Sequence, residues 1–428
     1  MSLLLNQVCI ITADKKGTVI DEGSIGIRNG IIDYVGEYQE GMEAKYDRVL
    51  NYKGKTAMPG FVNAHNHSAM TMFRNYADDM KLMDWLFNKI FPLEDKLTKE
   101  GAYYASSLAI LEMIKSGTTT FCDMYMFMEQ TAEAVIQSGM RAALGRGLQG
   151  ESGDDMDYRL KENLDLCEKY HGSHGGRLRV NLSPHSVYTC SPAYLEKVGR
   201  TAAEIGAAVQ IHLSETEDEV KNCMEKHGMS PIKLADKVGL LNHRTIAAHC
   251  LVVDDEDMEI LKDRQVSVIH NPSSNMKLGS GVAPIKAMMD RGINVALGTD
   301  GASSNNNLDM LKEMRTASYL QKVILKDPTA LPVDEVIRMA TVKGAKALGF
   351  KNTGEIKEGM AGDIIIINMD KPHYYPKYNV KPALIYSGNS NDVETVIIDG
   401  YIVMEKREIV TMDEERILYE VQRIADEM

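Results

Sequence analysis

Short apolar runs recur along the chain, separated by amphipathic stretches and turn residues. Ile25-Gly26-Ile27-Arg28, then Asn29-Gly30, then Ile31-Ile32-Asp33-Tyr34-Val35 has the grammar of a hairpin. Asn-Gly is the signature of a type I′ turn, which needs two left-handed residues. The far end repeats it. Asp363 to Ile367 reads as a strand, and Val393 to Ile398, Asp399-Gly400 and Tyr401 to Met404 read as a second hairpin. Two β segments flanking a long middle predict one small β-sandwich domain built from both termini. It takes residues 1–57 plus 360–428 and includes a C-terminal helix.

The middle, residues 58–359, alternates strand and helix patterns. Helical stretches stop at Gly117, Gly139, Gly206 and Gly292, each handing over to a β-rich run. Glycine there supplies the left-handed turn that a short helix-to-strand loop requires. Ser191-Pro192 opens one helix, with Ser as cap and Pro at its first position. The β runs are Phe61–His67, Thr118–Asp123, Arg141–Leu148, Leu178–His185, Ala208–Leu213, Thr245–His249, Val266–Asn271 and Asn294–Asp300. Eight strands alternating with helices predict an α/β fold, a (β/α)8 TIM-type barrel. A doubly wound sheet ranks second, because no Gly-x-Gly-x-x-Gly follows the first of these strands. Gly54-Lys55-Thr56 is not a phosphate loop, since Val49 stands where that motif needs glycine.

Composition narrows the function. A net charge of −13 over 428 residues argues against nucleic-acid binding, which needs a basic surface. The six cysteines, at 9, 122, 167, 190, 223 and 250, form no Cys-x-x-Cys pair. Neither a disulfide framework nor a thiolate zinc site is expected. Met1 to Leu5 lacks the basic and apolar regions of a secretory leader, and no stretch is apolar enough to span a bilayer. The expectation is a cytoplasmic protein with reduced thiols and no membrane partner.

In a barrel of this class the chemistry lies at the C-terminal ends of the strands. Read in order, those ends carry His65 and His67, Asp123, Arg146, His185, His212, His249, Asn271 and Asp300. A single buried histidine is commonly structural. Polar and titratable groups at every strand end are not explained by packing. His65, His67, His212, His249 and Asp300 together offer three imidazoles, a carboxylate and one imidazole to spare. Such a nitrogen and oxygen set suits Zn²⁺ or Fe²⁺ with a position left for water. His171, His174, His227, His243 and His373 fall in loops or at helix ends and read as surface residues. His270 precedes a strand end and, by alternation, turns away from Asn271, which makes it structural.

The motifs Pro59-Gly60-Phe61-Val62-Asn63-Ala64-His65-Asn66-His67, His212-Leu213-Ser214-Glu215, Ala248-His249-Cys250, His270-Asn271-Pro272-Ser273-Ser274-Asn275 and Gly298-Thr299-Asp300-Gly301 resemble the amidohydrolase superfamily. Within it, the chain is most similar to the 5-methylthioadenosine/S-adenosylhomocysteine deaminases, over essentially its whole length and including Ala361-Gly362-Asp363. The resemblance implies that His65, His67, His212 and Asp300 bind one divalent metal per subunit: Zn²⁺, with Fe²⁺ or Mn²⁺ as alternatives. The binuclear branches carry a carboxylated lysine on the fourth strand. Arg179 to His185 has none, so a mononuclear, deaminase-type site is implied.

The implied reaction is hydrolytic removal of the 6-amino group of a 5′-modified adenosine. The candidates are 5′-methylthioadenosine, S-adenosylhomocysteine, 5′-deoxyadenosine and adenosine. Lewis-acid activation brings the pKa of water from about 15.7 toward ~7. Asp300 and His249 accept or orient the departing proton, and Glu215, three residues beyond a ligand, shuttles it to the ring. Read without the resemblance, Glu215 is the first of several acids opening the helix Thr216–Lys226, with Glu217, Asp218 and Glu219. The resemblance places Trp85, the only tryptophan, over the ligand and gives Glu94 the two ribose hydroxyls. His185 contacts the nucleoside. Arg146 and Arg159 reach the 5′ substituent, from this subunit or a neighbouring one, with Arg159 set by the loop 153–158. The family also implies a homo-oligomer. The alternative is an amidohydrolase acting on another ring, a guanine deaminase or triazine hydrolase.

Overall fold

A computed structural model describes residues 2–151 and 157–428. Eight parallel strands pair in chain order: Phe61–Asn66, Thr118–Tyr125, Arg141–Leu148, Leu178–Pro184, Ala208–Leu213, Thr245–His249, Ser267–His270 and Asn294–Leu297. Helices alternate with them, and the expected barrel is present. Side chains from six strands (Val62, Cys122, Ala143, Ile246, Ile269 and Ala296) meet in one small cluster capped by Ala345, Leu348 and Phe350. The larger core lies between the strands and the surrounding helices. No helix among the described residues is long and apolar enough to cross a membrane.

The first and eighth barrel strands meet without a ladder, and the seam is closed by side chains. Asn63 Nδ2 donates to Thr299 Oγ1 at 2.7 Å, and Asn63 Oδ1 accepts the Thr299 N–H at 3.0 Å. One residue on, the Asp300 N–H donates to the His65 carbonyl at 3.1 Å. The backbones approach so closely that a Cβ at Gly298 would lie 2.9 Å from both the nitrogen and the oxygen of His65. The same clip that closes the barrel therefore fixes His65 against Asp300.

Four strands stop short of their expected ends, the fourth by one residue, at Pro184 before His185. His67 lies beyond the first strand and leads into a 3₁₀ turn, Ser68–Phe73. Asn271 follows the seventh, and Gly298 to Asp300 follow the eighth. Polar residues at the mouth leave the ladder because their side chains and backbone N–H groups find partners across it. Ser214, His249, Cys250 and Asp300 all have left-handed backbone, with φ between 49° and 74°. Non-glycine residues in this region are uncommon, and they cluster at functional sites.

The termini form one nine-stranded sheet in which Thr56–Pro59 pairs antiparallel with Ile364–Ile367. Its two arms face each other sandwich-fashion across Leu3, Leu5, Ile25, Ile27, Ile364, Ile366 and Ile397. Ile365 and Ile367 point the other way, into the main core. Both hairpins turn as their sequences require. Asn29 and Gly30 have φ of 51° and 83°, and Asp399 and Gly400 have φ of 53° and 75°.

A buried ion pair fastens this sheet to the barrel. Arg141, on the third barrel strand, donates through Nε to Asp363 Oδ2 at 2.6 Å and through Nη2 to Asp399 Oδ1 at 2.7 Å. The two carboxylates hold the guanidinium pKa above its ordinary value despite burial. Removing one partner of a buried pair strands the other charge and costs about 3–5 kcal/mol. Asp363→Ala is expected to lose that much stability in urea unfolding; a loss within the range of a surface substitution would show that the pair is not what joins the two parts.

Candidate metal centre

Four acceptor atoms converge at the barrel mouth. The His67 ring bonds the Met124 carbonyl through Nδ1 at 2.6 Å, and His212 bonds the His185 carbonyl through Nδ1 at 2.7 Å. A carbonyl only accepts, so each Nδ1 carries the hydrogen and each Nε2 presents a lone pair. Those two Nε2 atoms face one another at 3.3 Å. Asp300 Oδ1 lies 3.3 Å from His67 Nε2 and 3.5 Å from His65 Nε2. His65 is fully buried, and its Nε2 has no hydrogen-bond partner among the described residues.

Lone pairs facing each other in a buried site repel unless a positive charge lies between them. A proton is one remedy. Burial opposes charging His67, but Asp300 overrides it and lifts the pKa to about 9. Burial would likewise raise Asp300, and His65 and His67 instead hold it well below the usual carboxylate range. A single proton on His67 Nε2 serves Asp300 or His212, not both, and gives nothing to His65. Burial drives His65 down to about 4 and His212 well below its ordinary value, so neither ring supplies a second proton near neutrality. A divalent ion would satisfy the facing nitrogens and the carboxylate, and the donor types fit it. Asp300 Oδ2 is separately anchored by the hydroxyls of Ser274 at 2.6 Å and Ser304 at 3.1 Å.

These residues open onto a cavity of about 610 Å³. His67, His212, Glu215, His249 and Asp300 line one part of it, and Trp85, Glu94, Arg146, Arg159 and His185 also line it. His65 lies buried and is not among the lining residues. Glu215 is buried, with Oε2 3.7 Å from His249 Nε2. Burial raises its pKa and His249 opposes the rise. The other nitrogen of His249 is held by Asn275 Oδ1 at 2.8 Å.

Glu94 ends the short helix Phe91–Glu94, which continues a π-helical turn, Leu86–Ile90. Tyr125 donates to Glu94 Oε1 at 2.5 Å, leaving the other oxygen to the cavity. Trp85 donates through Nε1 to the Ala77 carbonyl at 3.2 Å, which fixes its ring. His185 Nδ1 sits 3.0 Å from Thr189 Oγ1, and burial pushes its pKa down to about 3, so it meets a ligand as neutral imidazole.

The two arginines differ from expectation in their company. Arg146 Nε donates to Glu162 Oε2 at 2.8 Å, and Nη1 to the Gly147 carbonyl. Arg159 stands in the first turn of Tyr158–Tyr170 and stacks on Tyr158. Both line the cavity of their own chain. Residues 153–156 of the expected loop lie outside the described residues. His270 is fully buried and outside the cavity lining, and His373 pairs with Asp392.

Glu219, one of the acids expected to open a helix, is buried. Its carboxylate accepts the backbone N–H of Glu215 at 2.7 Å and of Ser214 at 3.2 Å. Burial pushes its pKa to about 8. The local sequence gives no sign of this, because Glu217, Asp218 and Glu219 look alike; only a helix turning Glu219 back over the strand end separates it. Tyr125 was equally unforeseen, although its place two residues after Asp123, at the end of the second strand, was a usable signal.

The sequence model of the amidohydrolase family matches residues 56–403. A protein named 5-methylthioadenosine/S-adenosylhomocysteine deaminase from Dictyoglomus thermophilum is 46% identical over 428 residues, covering 100% of this chain and 99% of that one. One of the same name from Dictyoglomus turgidum is 45% identical over 425 residues, covering 99% and 98%. Among solved structures, an adenosine deaminase from Xanthomonas campestris with bound zinc superposes with a TM-score of 0.94 at 31% identity, covering 99% of this chain and 98% of that one. The barrel, the converging imidazoles and the full-length likeness agree, and the chain belongs to the amidohydrolase family.

Proposed function

We propose that the protein is a metal-dependent hydrolytic deaminase that converts the 6-amino group of a 5′-modified adenosine to the inosine analogue plus ammonia. The supporting observation is one cavity, lined both by the candidate metal cluster with Glu215 and by a half-buried, Tyr125-held carboxylate at Glu94. Its volume suits a nucleoside. Full-length relatives named for 5-methylthioadenosine and S-adenosylhomocysteine support the same substrates.

In this reading His65, His67, His212 and Asp300 hold one ion, and zinc suits their nitrogen and oxygen donors. When bound, it supplies Lewis-acid activation of water, lowering the water pKa to about 7. Glu215, kept receptive to a proton by burial, takes one from the attacking water and delivers it to ring N1 as charge builds there. It then serves the departing ammonia. His249 faces both the Glu215 carboxylate and the cluster and orients the water. Glu219 grips the Glu215 backbone and limits its sway. Trp85 covers the base. His185 contacts the nucleoside through its free Nε2. Glu94 accepts the two ribose hydroxyls, and a carboxylate with one oxygen already bonded still has lone pairs for both. Arg159 and the Arg146–Glu162 pair border the 5′ group.

The deciding measurement is ammonia release from adenosine, 5′-deoxyadenosine, 5′-methylthioadenosine, S-adenosylhomocysteine and guanine. Activity on the adenosines is expected; turnover of guanine alone would overturn the reading in favour of another ring. Glu215→Gln should lower kcat by about 10²–10⁴-fold while metal content, measured by elemental analysis, stays unchanged. Two hydrogen bonds to a charged group are worth about 1.5–3 kcal/mol each. Glu94→Ala should therefore lower kcat/KM for ribosides by about 10²-fold or more and leave 2′,3′-dideoxyadenosine unaffected. Equal losses on both would mean that Glu94 does not read the diol.

A further inference from the structure

The three histidines of the cluster are not oriented in the same way. His67 and His212 are turned by backbone carbonyls, which fix the hydrogen on Nδ1 whatever the side chains do. His65 Nδ1 meets a side chain instead, the amide of Gln210, whose Nε2 is placed 3.0 Å away. An amide offers an oxygen on one arm and a nitrogen on the other, and a half-turn exchanges them within the same volume. The two settings have opposite consequences. An NH₂ group facing Nδ1 takes its lone pair and leaves the hydrogen on Nε2, where it blocks an ion. An oxygen facing Nδ1 accepts its hydrogen and frees the Nε2 lone pair.

We infer that Gln210 is the positioning residue that makes His65 a metal ligand, by presenting its amide oxygen to the Nδ1–H. As placed, the amide has Nε2 toward His65 and Oε1 toward Cys122, and a half-turn brings the oxygen to the nitrogen that a ligating His65 needs protonated. The other arm of the amide lies 3.2 Å from Cys122 Sγ, and Asn181 lies 3.7 Å on the far side of that sulfur. With the oxygen toward His65, the chain runs in one sense. His65 Nδ1–H donates to Gln210, and the Gln210 NH₂ donates to the Cys122 sulfur. All four side chains are fully buried, so water does not compete for these bonds. Gln210 stands two residues before His212 on the same strand and points to the same side, so one strand supplies one ligand and orients another.

The inference rests on the reading of His65 as a ligand, and the test separates the two. Metal-free protein and the variants Gln210→Met, Gln210→Glu and His65→Ala are titrated with Zn²⁺ against a chromogenic chelator, with no substrate present. Loss of such an outer hydrogen bond typically weakens metal affinity by about 10–100-fold, and Gln210→Met should fall in that range. Gln210→Glu, whose carboxylate can only accept, should bind zinc at least as tightly as the parent. Parent-like affinity in a folded Gln210→Met, or affinity in Gln210→Glu reduced by that same range, overturns the inference. If Gln210→Met does not fold, Gln210→Glu decides alone. If His65→Ala keeps parent affinity, the ligand assignment fails rather than the role of Gln210.

Discussion

Mutual repulsion of buried lone pairs is the constraint on which the rest of this molecule turns. His67 Nε2 lies 3.3 Å from both His212 Nε2 and Asp300 Oδ1, with His65 Nε2 3.5 Å from that oxygen. With Nδ1 of both rings bonded to carbonyls, the facing Nε2 atoms of His67 and His212 need a positive charge between them. Two of the rings cannot swing away, because the carbonyls of Met124 and His185 hold their far sides. Imidazole nitrogens beside a carboxylate oxygen suit a borderline divalent cation, and the surrounding structure can be read as what holds them rigid.

That support comes from several directions. The Asn63–Thr299 clip closes the barrel at the point where ladder bonding gives out, and it sets His65 against Asp300. Ser274 and Ser304 hold the second oxygen of Asp300, and Glu219 fastens the backbone that carries Glu215. Left-handed backbone at Ser214, His249, Cys250 and Asp300 turns three strand ends over the cavity. Such conformations persist because the packing around them over-determines the chain. Farther away, Arg141 ties the terminal sheet to the barrel through Asp363 and Asp399, which gives Asp363 in the Ala361-Gly362-Asp363 motif a mechanical purpose.

Much of this was legible before any fold was in hand. Both hairpins announced themselves as Asn-Gly and Asp-Gly, because the type I′ turn accepts few other pairs. Eight apolar runs alternating with helices gave the barrel, and reading where each run stops gave the cluster. Strand ends were read too long at His67, Asn271 and Asp300, since apolar pattern does not record where side chains take over from the ladder. Glu219 was read only as one of several acids opening a helix. The arginines were read as ligand contacts, and the sequence held no hint that Glu162 engages Arg146.

By itself, the sequence determined which groups could do chemistry and on which strand each would stand, because strand periodicity and turn chemistry are local and leave a local record. Only the tertiary structure decided which nitrogen of each ring faces the centre, which carboxylates are buried and which charges are already partnered. Those properties depend on atoms brought together from positions as far apart as Asn63 and Thr299 or His65 and Gln210. A hydrogen bond across the barrel is set by how the whole cylinder closes, and no stretch of the chain carries that information alone.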